Sequence, residues 1–198
     1  MFKSQTMKEM QDAIFDFKKS PLYIYRKENK YFPVIGEGSH DAQIVFIGEA
    51  PGKNEAVTGK PFCGASGKIL NQLLSHIRTK REDVYITNIV KDRPMDNRDP
   101  KPEEIKLYAP FLIKELEIIQ PKVIATLGSF SMDFIMKHFG LEGDIQVISK
   151  IHGKTFEVGA PWGSVTIVPL YHPAVAVYNR TRLSELEKDF EILKSLIL

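Results

Sequence analysis

The sequence predicts an α/β protein, three layers deep (α/β/α), built on a central and mainly parallel four-stranded sheet. Four short apolar runs recur, at residues 43–49 (QIVFIGE), 83–90 (DVYITNIV), 122–128 (KVIATLG) and 164–172 (SVTIVPLYH). Segments with helical apolar spacing separate the first three of them, at 68–80 and 103–119. Strands that alternate with helices imply a parallel sheet covered on both faces. The first run also exits into a glycine-rich turn, and open sheets of this kind bind ligands at the carboxyl ends of their strands.

The elements follow in order. Residues 8–18 read as an amphipathic helix, with Met10, Ala13, Ile14 and Phe17 on one side. Residues 20–38 read as irregular, punctuated by Pro21, Pro33 and Gly36-Glu37-Gly38. The helix over 68–80 sets Ile69, Leu70, Leu73, Leu74 and Ile77 at core spacing. A further helix begins at Ser129 and ends before Gly140. Residues 146–150 and 155–158, around His152-Gly153, suit a small hairpin before the fourth strand. The last helix is expected from Ser184 as N-cap, with Glu185 and Glu187 favourable to its dipole. With no repeat, low-complexity tract or linker, residues 1–198 read as one domain.

Composition narrows the function class. A net charge of +2 over 198 residues is only mildly basic, so any affinity for nucleic acid must come from a local basic face. A single cysteine allows no internal disulfide and fits a reducing cytoplasm. No run approaches the ~20 apolar residues of a membrane span, and the N-terminal residues lack the continuous apolar core of a signal peptide. The expectation is a soluble, cytoplasmic monomer with no membrane partner. No His/Cys/Asp spacing resembles a zinc site, so no metal is expected.

Chemistry concentrates at the predicted strand ends. Residues 48–70 read GEAPGKNEAVTGKPFCGASGKIL. The Walker pattern fails there, because Gly52-Lys53 is not followed by Ser or Thr, and the GxGxxG fingerprint is absent. A nucleotide-phosphate site is thereby disfavoured. Glu49, Asn88 and His172 fall at the carboxyl ends of three different strands and so belong to one crevice. Each also has a plain structural reading: Glu49 as a helix N-cap partner, Phe62 and His172 as core residues, and Asn88 as a turn residue.

Several blocks of this chain resemble the uracil-DNA glycosylase superfamily, specifically its iron–sulfur (family 4) branch. The first block is Gly48-Glu49-Ala50-Pro51-Gly52, Glu55, Thr58-Gly59-Lys60-Pro61-Phe62 and Gly64. The second is Thr87-Asn88-Ile89-Val90-Lys91-Asp92-Arg93-Pro94 with Asn97-Arg98-Asp99-Pro100. Residues 121–128 (PKVIATLG) and 169–173 (PLYHP) supply two more, and the resemblance runs collinearly from about residue 20 to the C-terminus.

The resemblance implies a monofunctional glycosylase that hydrolyses the N-glycosidic bond of deoxyuridine in single- or double-stranded DNA. Glu49 then orients or deprotonates a water, or stabilises positive charge on the sugar. Ala50, Pro51, Phe62 and Asn88 bind the base, with Phe62 stacking on its face and the Asn88 amide meeting uracil N3–H and O4. His172 donates to uracil O2 as the glycosidic bond breaks. Lys91, Arg93, Arg98, His152 and Lys154 are candidate DNA contacts. Tyr178 stands where relatives carry a duplex-wedging arginine. No lysine occupies a Schiff-base position. Two alternatives remain: a glycosylase for hypoxanthine or xanthine, and a catalytically silent module that binds DNA or uracil.

One departure is plain. The four cluster-ligating cysteines of the branch fall here at Phe17, Ser20, Asp92 and Tyr108, and the only thiol, Cys63, lies in the first block. A cubane held by four thiolates therefore has no ligands here, and no cofactor is expected. Side-chain packing by Phe17 and Tyr108, with Asp92 pairing an arginine, is the expected replacement.

Overall fold

The computed structural model describes residues 2–197. Its centre is a six-stranded sheet in the order β1-β3-β2-β4-β6-β5. The four expected runs form its parallel core: β2 (Ile44–Gly48), β3 (Tyr85–Asn88), β4 (Val123–Leu127) and β6 (Gly163–Leu170). The sheet exceeds the four-stranded expectation because an antiparallel strand is added at each edge. β1 (Glu37–Gly38) is only two residues long and pairs with β3, too short to leave a periodic signal. β5 (Phe156–Ala160) pairs with β6 across a tight turn, and Gly163, the first residue of β6, takes φ 130°, a conformation open to glycine.

The central strands are buried on both faces, and alternation sorts their side chains. Val45 and Ile47 of β2 join the cluster built with α1 (Phe2–Phe15) and α5 (Pro102–Ile119), around Met7, Ile14 and Leu112. Ile44 and Phe46 point to the other cluster, with Leu70 and Leu73 of α4 (Ala65–His76) and Phe190 of α9 (Leu183–Ser195). The rings of Phe46 and Phe190 stack at 5.6 Å.

Several local expectations are corrected. The first helix spans Phe2–Phe15 instead of 8–18, which leaves Phe17 in the following turn. Residues 20–38 contain α2 (Tyr23–Glu28), a helix too short for apolar periodicity to reveal. The expected hairpin strand at 146–150 is instead the single turn α7 (Ile148–Ile151). Ser184 is not an N-cap: α9 begins at Leu183, and the Ser184 hydroxyl turns back to the Thr181 carbonyl at 3.4 Å. The helices after β2 and β4 are α3 (Lys53–Thr58) and α6 (Ser129–His138), and α8 (Ala174–Tyr178) follows β6.

Candidate active site

The strand exits of β2, β3 and β6 meet at one end of the sheet. The amides of Ile89 and Val90 donate to the carbonyls of Gly48 and Glu49, both at 3.0 Å, which carries the pairing of β2 with β3 past the sheet's last residues. A cleft of about 220 Å3 lies beyond. Ala50, Phe62, Asn88 and His172 line it, so four of the sequence-predicted residues share one cavity. Glu49 adjoins it in the chain, half-buried, while Pro51 is buried.

Close approach explains the glycines. A Cβ on Gly48 would collide with the Asn88 side-chain oxygen and come within 2.8 Å of the Phe62 ring. Phe62 itself takes φ 47°, a left-handed conformation that costs a bulky residue energy. Glu55 holds that conformation. Its Oε1 accepts from the amides of Cys63 (3.0 Å) and Gly64 (2.9 Å), closing the loop between α3 and α4. Glu55, Ser66 and Asn97 also line the cleft. Sequence reading notes Glu55 only as a motif acid and does not single out Ser66 or Asn97 as site residues; the amides that Glu55 binds belong to the backbone and leave no sequence signal.

His172 follows β6. Its ring lies 5.6 Å from that of Phe62, tilted by 33°. Its Nδ1 lies 3.1 Å from the Ala174 amide nitrogen, which donates to it, so the ring proton belongs on Nε2. Burial pushes the imidazole down to about 4, so it is neutral near pH 7. Glu49 moves the other way: burial, helped by the nearby Asp99 charge, raises its carboxyl to about 7.

The candidate DNA contacts divide sharply. Lys154 is exposed, and Tyr178 at the end of α8 is 90 % exposed beside the exposed Val177. Arg98 is half-buried and paired with Glu104. His152 is held by Asp189 at 2.8 Å and packs on Tyr171 at 4.3 Å. Arg93 is buried, bonding Asn97 Oδ1 at 2.7 Å and the hydroxyls of Tyr25 and Tyr31, both at 3.1 Å. Lys91 is fully buried against Glu115 at 2.6 Å and has no route to a phosphate. Its reading as a DNA contact is corrected: a lysine in a charged, proline-rich loop reads as solvated, but its partner lies 24 residues further along the chain.

The four positions aligned with cluster ligands do converge. The rings of Phe17 and Tyr108 meet edge to face at 5.5 Å. The Tyr108 hydroxyl donates to Asp92 Oδ2 at 2.6 Å and is hydrogen-bonded by Ser20. Arg26 closes the group on Asp92 Oδ1 at 3.1 Å, with side chains 3 % and 0 % exposed. These residues do not fit an iron–sulfur cluster. They offer no thiolate, and their own polar atoms satisfy one another. Among the described residues there is also no group of three or more His, Cys, Asp or Glu that could hold a metal ion.

Comparison with known proteins agrees with this geometry. Residues 35–194 match the uracil DNA glycosylase superfamily. The chain is 44 % identical over 169 residues to a type-4 uracil-DNA glycosylase of Archaeoglobus fulgidus, covering 85 % of this chain and 82 % of that one. It is 41 % identical over 184 residues to the type-4 enzyme of Saccharolobus solfataricus, covering 92 % and 82 %. A type-4 enzyme of Thermotoga maritima is 39 % identical over 182 residues, covering 89 % and 87 %. The chain therefore belongs to the uracil-DNA glycosylase superfamily, on the side of its type-4 members.

Proposed function

We propose that this protein is a monofunctional uracil-DNA glycosylase, releasing free uracil from DNA and leaving an abasic site, the first step of base excision repair. The observation that carries the reading is the meeting of Phe62, Asn88 and His172 around one cleft of about 220 Å3. That volume is below the ~300–1,000 Å3 of pockets for drug-sized ligands, which suits a single flipped ring.

In this reading the Phe62 ring stacks on the base. The Asn88 amide accepts from N3–H and donates to O4, a pairing that cytosine reverses. The C1′–N1 bond breaks with its electron pair going to the base, and the His172 Nε2–H stabilises the charge that builds at O2. A neutral imidazole fits this task, because it donates without surrendering its proton to the leaving group. Glu49 orients the attacking water and takes its proton as the C1′–O bond forms. A carboxyl raised to about 7 is a stronger base than an ordinary glutamate and is still largely ionised just above neutrality. Lys154 and Arg98 would touch phosphate, and Tyr178 with Val177 would fill the gap left by the flipped base. The protein acts as a cytoplasmic monomer in this account. None of the described helices is long and apolar enough to cross a membrane.

The test is a strand-cleavage assay after alkaline treatment, on matched oligonucleotides carrying uracil, hypoxanthine or xanthine, single- and double-stranded. Cleavage at uracil is expected. Cleavage at hypoxanthine or xanthine alone transfers the activity to another deaminated base, and binding without cleavage of any of them leaves a silent module.

A further inference from the structure

Lys91 and Glu115 form an ion pair with both side chains 0 % exposed, directly beneath the strand end that carries Asn88. The Lys91 ammonium is fully used. It meets Glu115 Oε2 at 2.6 Å, Thr87 Oγ1 at 2.7 Å and the main-chain carbonyl of Asn88 at 2.8 Å. The carboxylate is equally engaged, accepting from the Thr87 hydroxyl at 2.9 Å and from the Tyr85 hydroxyl at 3.3 Å. Tyr85 and Thr87 point from β3 toward α5, and the alternating pleat turns Asn88 the other way, into the cleft.

A buried ion pair is a poor device for stability, because apolar residues of the same volume often serve as well or better. What apolar residues cannot do is grip a carbonyl. Pairing with β2 continues past Asn88 through the Ile89 and Val90 amides, but β1 reaches no further along β3 than Ile86, so the Asn88 carbonyl lies past the end of that edge pairing. A charge-assisted hydrogen bond from a lysine that cannot move gives that carbonyl a fixed donor, so the peptide is held at its oxygen as well as at the Ile89 amide.

We propose that the Lys91–Glu115 pair is a positioning device for Asn88, fixing the peptide from which the base-reading amide extends. The proposal deepens the uracil-excision reading and rests on it. Lys91 and Glu115 touch no substrate; they act through Asn88. Replacing both with apolar residues should therefore leave folding and DNA affinity in place while the chemical step slows.

The experiment is a double-mutant cycle. Lys91→Met/Glu115→Leu is made in the parent and in Asn88→Ala, and each protein is followed under single-turnover conditions with excess enzyme on a uracil oligonucleotide. Melting temperature and half-saturating enzyme concentration are recorded alongside. The expected result is a rate loss of roughly tenfold or more in the parent background, the scale on which small misplacements act. Half-saturation should be unchanged, and Asn88→Ala should show no further loss, because the group being positioned is already gone. Equal losses in both backgrounds, or a folded double variant with the parent rate, would overturn the proposal. Should the double variant not fold, Thr87→Val, which removes the hydroxyl bridging the pair while preserving shape, is judged by the same two outcomes. A parent protein that excises a different base would sink the uracil reading alone, and the same cycle on that base still decides the role of Lys91.

Discussion

His172 accepts a hydrogen bond at Nδ1 from the backbone amide of Ala174, 3.1 Å away, and that bond assigns the ring proton to Nε2. Burial that holds the imidazole at about 4 keeps it from taking a second proton near neutrality. The helix that follows β6 thus sets the direction of the residue beside Phe62, and burial sets its charge.

From this, His172→Ala should lower the single-turnover rate by roughly two orders of magnitude or more, the scale of a lost oxyanion-type donor. DNA affinity should be nearly unchanged, since the charge that His172 meets appears only as the bond breaks. A variant that cleaves near the parent rate would remove His172 from the chemistry.

The pH dependence follows from Glu49. A base must be ionised, so the rate should rise with pH through about 7 and then level off. His172 adds no descending limb, because it is already neutral across that range. The linkage sign is opposite for stability. Folded Glu49 binds its proton more tightly than the unfolded chain does, so its contribution to stability falls as pH rises from the ordinary glutamate range through about 7. Glu49→Gln should accordingly lose roughly two orders of magnitude in rate and the ascending limb, while its melting temperature above pH 7 is at least that of the parent. A parent profile that is flat between pH 6 and 8 would contradict this role.

The Arg26–Asp92–Tyr108 group should behave as a closed polar brace. Asp92→Ala leaves the Arg26 guanidinium buried without its partner and should cost about 3–5 kcal/mol in denaturant unfolding. Replacing both charges, as in Arg26→Met/Asp92→Leu, should cost less. Purified protein should contain no stoichiometric iron by elemental analysis. About four irons per chain, with visible absorbance that Asp92→Ala abolishes, would mean that the brace had been misread.

Phe62→Ala should reduce excision without altering which base is preferred. Stacking is worth ~1–3 kcal/mol per base and is tolerant of base identity. Rates on uracil and on any slower base should fall by similar factors. A selective change in one of them would show that Phe62 also discriminates.

Much of this site could be read from the chain, for reasons particular residues make clear. Glu49, Asn88 and His172 each end an apolar run, and in a parallel sheet those ends share one edge, so their convergence needed no knowledge of long-range contacts. The replacement of cluster ligands at Phe17, Ser20, Asp92 and Tyr108 was likewise visible, because residue types alone exclude thiolate ligation. The partner of Asp92 was foreseen as an arginine but not as Arg26, which sits in a six-residue helix without periodicity. Lys91 reads as a candidate DNA contact because its burial depends on Glu115, on an α5 face that local sequence leaves ambiguous. The φ of Phe62 and its restraint by Glu55 belong to a loop closed by backbone amides, and backbone amides carry no sequence signal.

The most direct test of the account is the uracil-to-cytosine ratio of Asn88→Asp, measured as single-turnover rates on matched oligonucleotides. The carboxylate keeps an acceptor for uracil N3–H but loses the donor to O4 and sets a negative charge beside it. It can instead accept from the cytosine amino group. Sites that read a base through paired hydrogen bonds discriminate by roughly four orders of magnitude or more, and the account predicts that uracil excision weakens while the ratio collapses toward cytosine. An unchanged uracil rate together with an unchanged ratio would make Asn88 a turn residue and would contradict the placement of the base in this cleft.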